Sequence, residues 1–288
     1  MTNDALPTRK KDWSLLIEEL GLRPNKGRGQ NFIFEQGVIH RIVKTAAVSR
    51  DDHVLEIGPG LGILTQELIA KAGNVSAIEI DPTLAAHVSS VFSGVPQFRL
   101  HQADAITFDL SGTFGSEPIK VVANLPYSAA AAIVQQLLET DWNMVSATIM
   151  VQLEVGERML ASPPNMSILA VATQVYATGD ENFVVPPDVF IPSPAIDSLV
   201  LTLRPHAEPL ISPEERVAFF GIVNAGFRHR RKNIANSLAD ETAIPKSDIM
   251  SIVVGAGIDP IRRAQTLSVE EWLELSRAWK RQGSAVTP

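Results

Sequence analysis

The chain predicts an α/β fold: a parallel sheet covered by helices on both faces, followed by a small all-helical domain. Three observations predict it. Short apolar runs alternate with segments of helical spacing from about residue 36 to residue 152. "EIGPGLG", residues 56–62, carries an apolar strand straight into a helix through three glycines. Beyond Pro205 the strand signals stop, apart from a short "SIVV", and helical spacing takes over.

Each element follows from its local pattern. Residues 13–22, "WSLLIEELGL", have amphipathic helical spacing and stop at Gly21. "RPNKGRGQNF" is a basic, glycine-rich loop, and residues 36–48 return to helical spacing. "HVLEIGPGLG" is a strand ending in the glycine turn, and residues 61–72 continue as a helix. "NVSAIEID" is a second strand, followed by a helix over 82–92. "QFRLHQADA" is a third strand and "IKVVANLP" a fourth; residues 128–140 are helical and "SATIMVQ" is a fifth strand. "FVVPPDVFIPSPAIDSLVLTLRP" holds later strands joined by a proline-rich connection. A boundary near 205 separates residues 1–205 from 206–288. In the tail, "ISPEERVAFFGIVNAGF" and "RRKNIANSLA" are helical, and "SVEEWLELSRAWKR" opens on a capping box from Ser268 to Glu271.

The chain has 288 residues, room for one large domain or two unequal ones. It has no cysteine, which excludes disulfides, thiolate nucleophiles and cysteine-ligated zinc and suits a reducing cytoplasm. No secretory signal and no membrane span are expected, because no apolar h-region and no run of about 18 apolar residues occurs. The net charge of −7 argues mildly against nucleic acid, but the average hides an asymmetry. Residues 206–288 hold 11 Lys/Arg against 10 Asp/Glu, and residues 1–205 hold 14 against 22. Local clusters matter more than totals for phosphate binding. "RHRRK" brings together Arg228, Arg230, Arg231 and Lys232, and "RPNKGR" adds three more cations at 23–28.

Ligands on parallel sheets bind at the carboxyl ends of the strands. Three polar residues stand at such ends: Glu79, Asp104 and Asn124. Gly58, Gly60 and Gly62 let the backbone bend sharply and approach a ligand. Glu79 follows Gly58 by 21 residues, the spacing of a ribose-hydroxyl acceptor. The cofactor is a dinucleotide or S-adenosylmethionine. Glu56, just before the first glycine, favours the second, whose amino-acid moiety carries an ammonium group. Asp104 reads as an acceptor for an adenine amine or as a helix N-cap, and the two roles are compatible.

"VVANLPYSAA", residues 121–130, begins as a core strand and ends in an amide, a proline and a ring. The Asn124 amide oxygen and the Leu125 carbonyl are acceptors, Pro126 fixes the direction of that carbonyl, and Tyr127 offers a flat face. Together they fit a planar base with an exocyclic amine, held by two acceptors and a stacking ring. Acceptors that pull the N–H bonds out of plane localise the nitrogen lone pair toward an incoming methyl group. The plainer alternative is an asparagine capping a turn, with Tyr127 in the core.

Read together, these stretches resemble the ribosomal RNA adenine dimethyltransferase family, above all its bacterial small-subunit, KsgA-type branch. The resemblance rests on "GRGQNFIFEQGVIHRIV", "EIGPGLGILT", "AIEID", "QADA" and "NLPY", with "MVQLEVGERM", "PPDVFIPSPAIDS", "RHRRKNIANSL" and "RRAQTLSVEEWLEL". It runs from about Asn25 to about Trp279. It implies a Rossmann-like class I methyltransferase sheet over residues 1–205 and a helical RNA-binding domain over 206–288. It implies S-adenosylmethionine as methyl donor, held at Asn31, Ile33, Gly58, Glu79, Asp104 and Asn124, with Gly60 of the same turn. The target adenine falls on Asn124, Leu125, Pro126, Tyr127 and Phe190, the last as a second stacking ring. The implied product is N6,N6-dimethyladenosine at two adjacent positions in a hairpin loop near the 3′ end of 16S rRNA, formed during small-subunit biogenesis. No metal and no oligomer are expected. Three stretches depart from the family pattern: "SAAAA" after "NLPY", Leu153 at an often basic position, and a shortened "ASPPNMS".

Rival readings are a methylase of large-subunit rRNA, an assembly factor that chiefly binds immature subunits and, more remotely, a nicotinamide oxidoreductase. "RRKNIANSL" and "RRAQTLS" favour the small subunit, and Glu79 with Asn124 favours catalysis.

Overall fold

The computed structural model describes residues 6, 7, 9–22, 31–242 and 244–281. The chain divides into two compact units, residues 1–156 with 179–205 and residues 157–178 with 206–288. The single division expected at 205 is thus joined by two earlier crossings. Residues 157–178 go with the later segment because Met166, Ala170, Val171 and Val175 belong to its core.

The strands are β1 (Phe32–Ile33), β2 (His53–Ile57), β3 (Asn74–Glu79), β4 (Phe98–Gln102), β5 (Ile119–Asn124), β6 (Met144–Gln152), β7 (Ala177–Val185), β8 (Phe190–Ile191) and β9 (Ser198–Pro205). Seven of them form one sheet in the order β4-β3-β2-β5-β6-β9-β7, while β1 and β8 make a separate antiparallel ribbon. From β4 through β6 every neighbouring pair is parallel. β9 is antiparallel to β6, so the sheet is mixed rather than wholly parallel. An antiparallel neighbour needs no helical crossover. β2, β3 and β5 are buried almost throughout, which is why they read as continuous apolar runs. The chain runs outward from β2 to β4 and then returns to β5 on the other side of β2. Such a switch point opens a crevice at the carboxyl ends of the strands.

The first helices are α1 (Lys10–Glu19), α2 (Gln36–Thr45), α3 (Ile63–Lys71), α4 (Pro82–Val91), α5 (Leu110–Phe114) and α6 (Ala130–Glu139). α4 starts cleanly: Asp81 accepts from Thr83 N and Leu84 N, and Pro82 occupies the first turn, where its missing N–H costs nothing. α5 has no counterpart in the sequence reading, because five residues are too few for a period to show.

The remaining helices are α7 (Leu153–Met159), α8 (Ile168–Gln174), α9 (Arg216–Arg228), α10 (Ile234–Glu241), α11 (Lys246–Gly255) and α12 (Val269–Arg281). In the second unit Phe219, Leu238, Ile249, Trp272 and Trp279 form a common core. The expected capping box closes at α12: Ser268 N donates to Glu271 Oε2 at 2.8 Å, and Glu271 N to Ser268 Oγ at 3.2 Å. "SIVV" is no strand but part of α11. Its β-branched residues lose to tertiary context, since Ile252 and Val253 belong to the helical core.

Candidate active site

A cavity of about 520 Å³ opens at the switch point. That volume suits a nucleoside-sized ligand. Four strand ends supply its walls: Ile57 and Gly58 at β2, Glu79 through Pro82 with Leu84 at β3, Ala103 through Ile106 at β4, and Asn124 through Ala129 at β5.

The glycine turn is forced by its backbone. Gly58, Gly60 and Gly62 have φ of 70°, 57° and 88°, a region that side chains rarely enter. A Cβ on Gly60 would stand 3.2 Å from the Phe32 ring, so that ring lies directly on the turn. Gly58 N donates to the Ile78 carbonyl at 2.9 Å, which ties the turn to β3.

Glu79 is buried and braces the same turn. Its Oε2 accepts from Gly60 N at 3.2 Å, and its Oε1 accepts from Asp81 N at 2.9 Å. Burial pushes its carboxyl above the usual range despite those two bonds. Asp104 lines the cavity, and its Oδ1 accepts from Ile106 N at 2.9 Å, which closes a turn rather than capping a helix, since the next helix starts at Leu110.

At the end of β5, Asn124 Nδ2 donates to the Asn31 carbonyl at 3.2 Å. Leu125 N donates to the Met150 carbonyl, and Ala129 N to the Pro126 carbonyl, so the turn after β5 is pinned on both sides. The Tyr127 hydroxyl pairs with Ser198 Oγ at 2.7 Å, and burial pushes its pKa up. Asn31, Gly58, Gly60, Glu79, Asp104, Asn124, Leu125, Pro126 and Tyr127 therefore line one cavity.

A sequence model described as Ribosomal RNA adenine dimethylase matches residues 21–279 of this chain. The chain belongs to the ribosomal RNA adenine dimethylase family. It is 42% identical to the ribosomal RNA small subunit methyltransferase A of Moorella thermoacetica, over 91% of this chain and 94% of that protein. The protein of the same description from Shouchella clausii is 37% identical, over 95% of each chain. Among solved structures, the 23S rRNA methyltransferase ErmE superposes with a TM-score of 0.68 at 31% identity, covering 87% of this chain and all of that one. A dimethyladenosine transferase from Plasmodium falciparum gives 0.74 at 22% identity, over 88% and 98% of the two chains, a likeness of fold alone.

Two of the positions implied by the resemblance lie outside the cavity lining. Ile33 and Phe190 do not line the cavity; they pair with each other in the β1–β8 ribbon, and Phe190 is fully buried in the core. A base can stack on Phe190 only after the residues covering it move. Phe32, not Ile33, reaches the cavity. Glu56 does not reach it either. It is buried, takes a 2.6 Å hydrogen bond from Thr65 Oγ1, and its carboxyl is pushed up to about 8 by burial. A buried, largely neutral acid gives no support to the ammonium contact expected for Glu56.

Sequence reasoning missed Phe32, Ser198 and Ile80. Ile80 is 64% exposed at the cavity wall, and an apolar residue directly after a strand-end acid was the available signal. Of the basic candidates, Arg228 pairs with Glu241 and Lys232 with Asp240, and the neighbouring His229 also pairs with Glu241. Arg230 and Arg231 are exposed and form no ion pair among the described residues. The "RPNKGR" loop lies outside the described residues.

Proposed function

We propose that this member of the adenine dimethylase family transfers methyl groups from S-adenosylmethionine to N6 of two adjacent adenosines in a hairpin loop near the 3′ end of 16S rRNA. The product is N6,N6-dimethyladenosine, and the setting is cytoplasmic small-subunit biogenesis, with the chain acting as a monomer on immature subunits. One observation carries the reading: Glu79, Asp104 and the Asn124–Tyr127 turn, from three strand ends, line the same cavity.

The residues fit the cofactor. Glu79 is a buried acceptor suited to the ribose hydroxyls, Asp104 suits the adenine amine, and the Gly60 turn leaves no room for a side chain beneath Phe32. When bound, the cofactor supplies an electrophilic methyl group. The chain does the rest. Asn124 Oδ1 and the Leu125 carbonyl accept the two N6–H groups and bring the lone pair out of conjugation. Tyr127 stacks on the target ring. Each transfer also sheds one N6 proton to solvent, so after one transfer one N–H remains to be held, and after the second none does. The unmatched acceptors then disfavour the product by about 1–3 kcal/mol.

Exposed Arg230 and Arg231 contact RNA phosphates in this reading. A large-subunit target is the second reading, favoured by the 31% identity to ErmE. The small-subunit relatives are more similar, at 37% and 42%. Mapping methylated adenosines on both rRNAs from cells with and without the protein separates the two.

A further inference from the structure

We propose that the backbone carbonyl of Asn31 sets the orientation of the Asn124 amide and so holds its oxygen toward the target amine. This rests on the methyl-transfer reading above. A backbone carbonyl can only accept, so the group of Asn124 that faces it at 3.2 Å must be the NH2. A flipped amide would set two oxygens against each other. Oδ1 therefore points away from Asn31, and both residues line the cavity. The orientation has a chemical consequence. The target nitrogen brings N–H donors, and an Asn124 turned the other way would meet them with donors of its own.

The carbonyl is itself held in place. β1 begins one residue later; Phe32 pairs with Ile191, Ile33 pairs with Phe190, and Phe34 N donates to the Val189 carbonyl at 3.1 Å. The Phe32 ring lies on Gly60 of the cofactor turn. The β1–β8 ribbon thus fixes one wall of the cavity and the facing of the catalytic amide together. This gives the buried Phe190 a part in the site without contact to the base: it anchors the strand next to the positioning carbonyl. Asn31 is a positioning residue, acting through Asn124.

The test weakens the Asn31 carbonyl, at the cost also of the Phe32 N–H in the ribbon. Replacing Phe32 by phenyllactic acid turns the Asn31–Phe32 peptide into an ester, a weaker acceptor, with every side chain kept. The matching ester at Phe34 is the control, because it removes the Phe34 N–H of the same ribbon and leaves the Asn31 carbonyl an amide. The Phe32 ester is expected to lower kcat by about fivefold or more, where tenfold corresponds to about 1.4 kcal/mol. KM for RNA should change by less than about twofold, hydrogen exchange of the Asn124 side-chain NH2 should quicken, and the Phe34 ester, which loosens the ribbon but leaves the acceptor an amide, should lower kcat less than the Phe32 ester does. Unchanged kcat and unchanged exchange in the Phe32 ester, with the unmodified chain active, overturn the proposal. If the unmodified chain transfers no methyl group, the methyl-transfer reading fails, and the exchange measurement still decides the hold on Asn124. Faster exchange in the ester then supports that hold, and unchanged exchange overturns it.

Discussion

Tyr127 carries two separable groups, a ring on the cavity wall and a hydroxyl bonded to the fully buried Ser198. Stacking uses the ring, so Tyr127→Phe should keep most transfer while Tyr127→Ala loses it. The hydroxyl matters to stability instead: Tyr127→Phe leaves Ser198 Oγ unpaired, at a cost of about 1–3 kcal/mol. Adding Ser198→Ala removes the orphan and should restore the melting temperature. If Tyr127→Phe is as inactive as Tyr127→Ala, the hydroxyl acts in catalysis and stacking is the wrong account. Glu79→Ala should weaken cofactor binding by about 1.5–3 kcal/mol, since a charged acceptor for hydroxyls is lost; unchanged affinity by calorimetry would remove Glu79 from the cofactor site. The strand-end residues were legible in the sequence because their signal is local: an acid, or an amide before a proline, where an apolar strand stops. Their pairings were not. The Asn31 carbonyl that accepts from Asn124 lies 93 residues away from it, and Ser198 lies 71 residues from Tyr127.

The β2–α3 element holds a second pH-sensitive acid, Glu56. In the unfolded chain it ionises near 4.5, whereas burial in the fold keeps it neutral up to about 8. Its contribution to stability is whole below pH 4.5 and drains away as pH rises toward 8, by at most about 1.4 kcal/mol per pH unit. Glu56→Gln keeps a polar partner for Thr65 and should flatten the pH dependence of chemical denaturation across that interval. A slope as steep as that of the unaltered protein would mean Glu56 is ionised in the fold. In the second unit, Gly226 on α9 fits against Trp272 on α12: an added Cβ would lie 2.5 Å from its ring. Gly226→Ala should therefore destabilise that unit by about 1–3 kcal/mol. The elements with long, regular patterns, such as α12 and the buried strands, could be read from sequence. α5 was too short, and "SIVV" was governed by what it packs on rather than by its own propensity.

At the scale of the whole molecule, the balance of charge differs along the chain, with a net of −8 over residues 1–205 and +1 over 206–288. The basic run at 228–232 was legible as composition, but its pairing was not, since Asp240 and Glu241 come from the far end of the next helix. The pairing sharpens the expectation for RNA binding. Neutralising Arg230 and Arg231 should flatten the logarithmic salt dependence by about 1.4–1.8 units, at 0.7–0.9 per phosphate contact. Neutralising Lys232 alone should change it less, because its ammonium already has Asp240. An unaltered slope in the double variant would assign the pair to the solvated surface. The central claim is that the cavity at the switch point dimethylates adenine on small-subunit rRNA. The most direct measurement is nucleoside mass spectrometry, with site mapping, of small- and large-subunit rRNA incubated with excess protein and S-adenosylmethionine, beside an Asn124→Ala control. The account predicts N6,N6-dimethyladenosine at two adjacent positions near the 3′ end of 16S rRNA, and none with the control. Monomethyladenosine alone at completion, modification confined to the large subunit, or full activity in Asn124→Ala would contradict it.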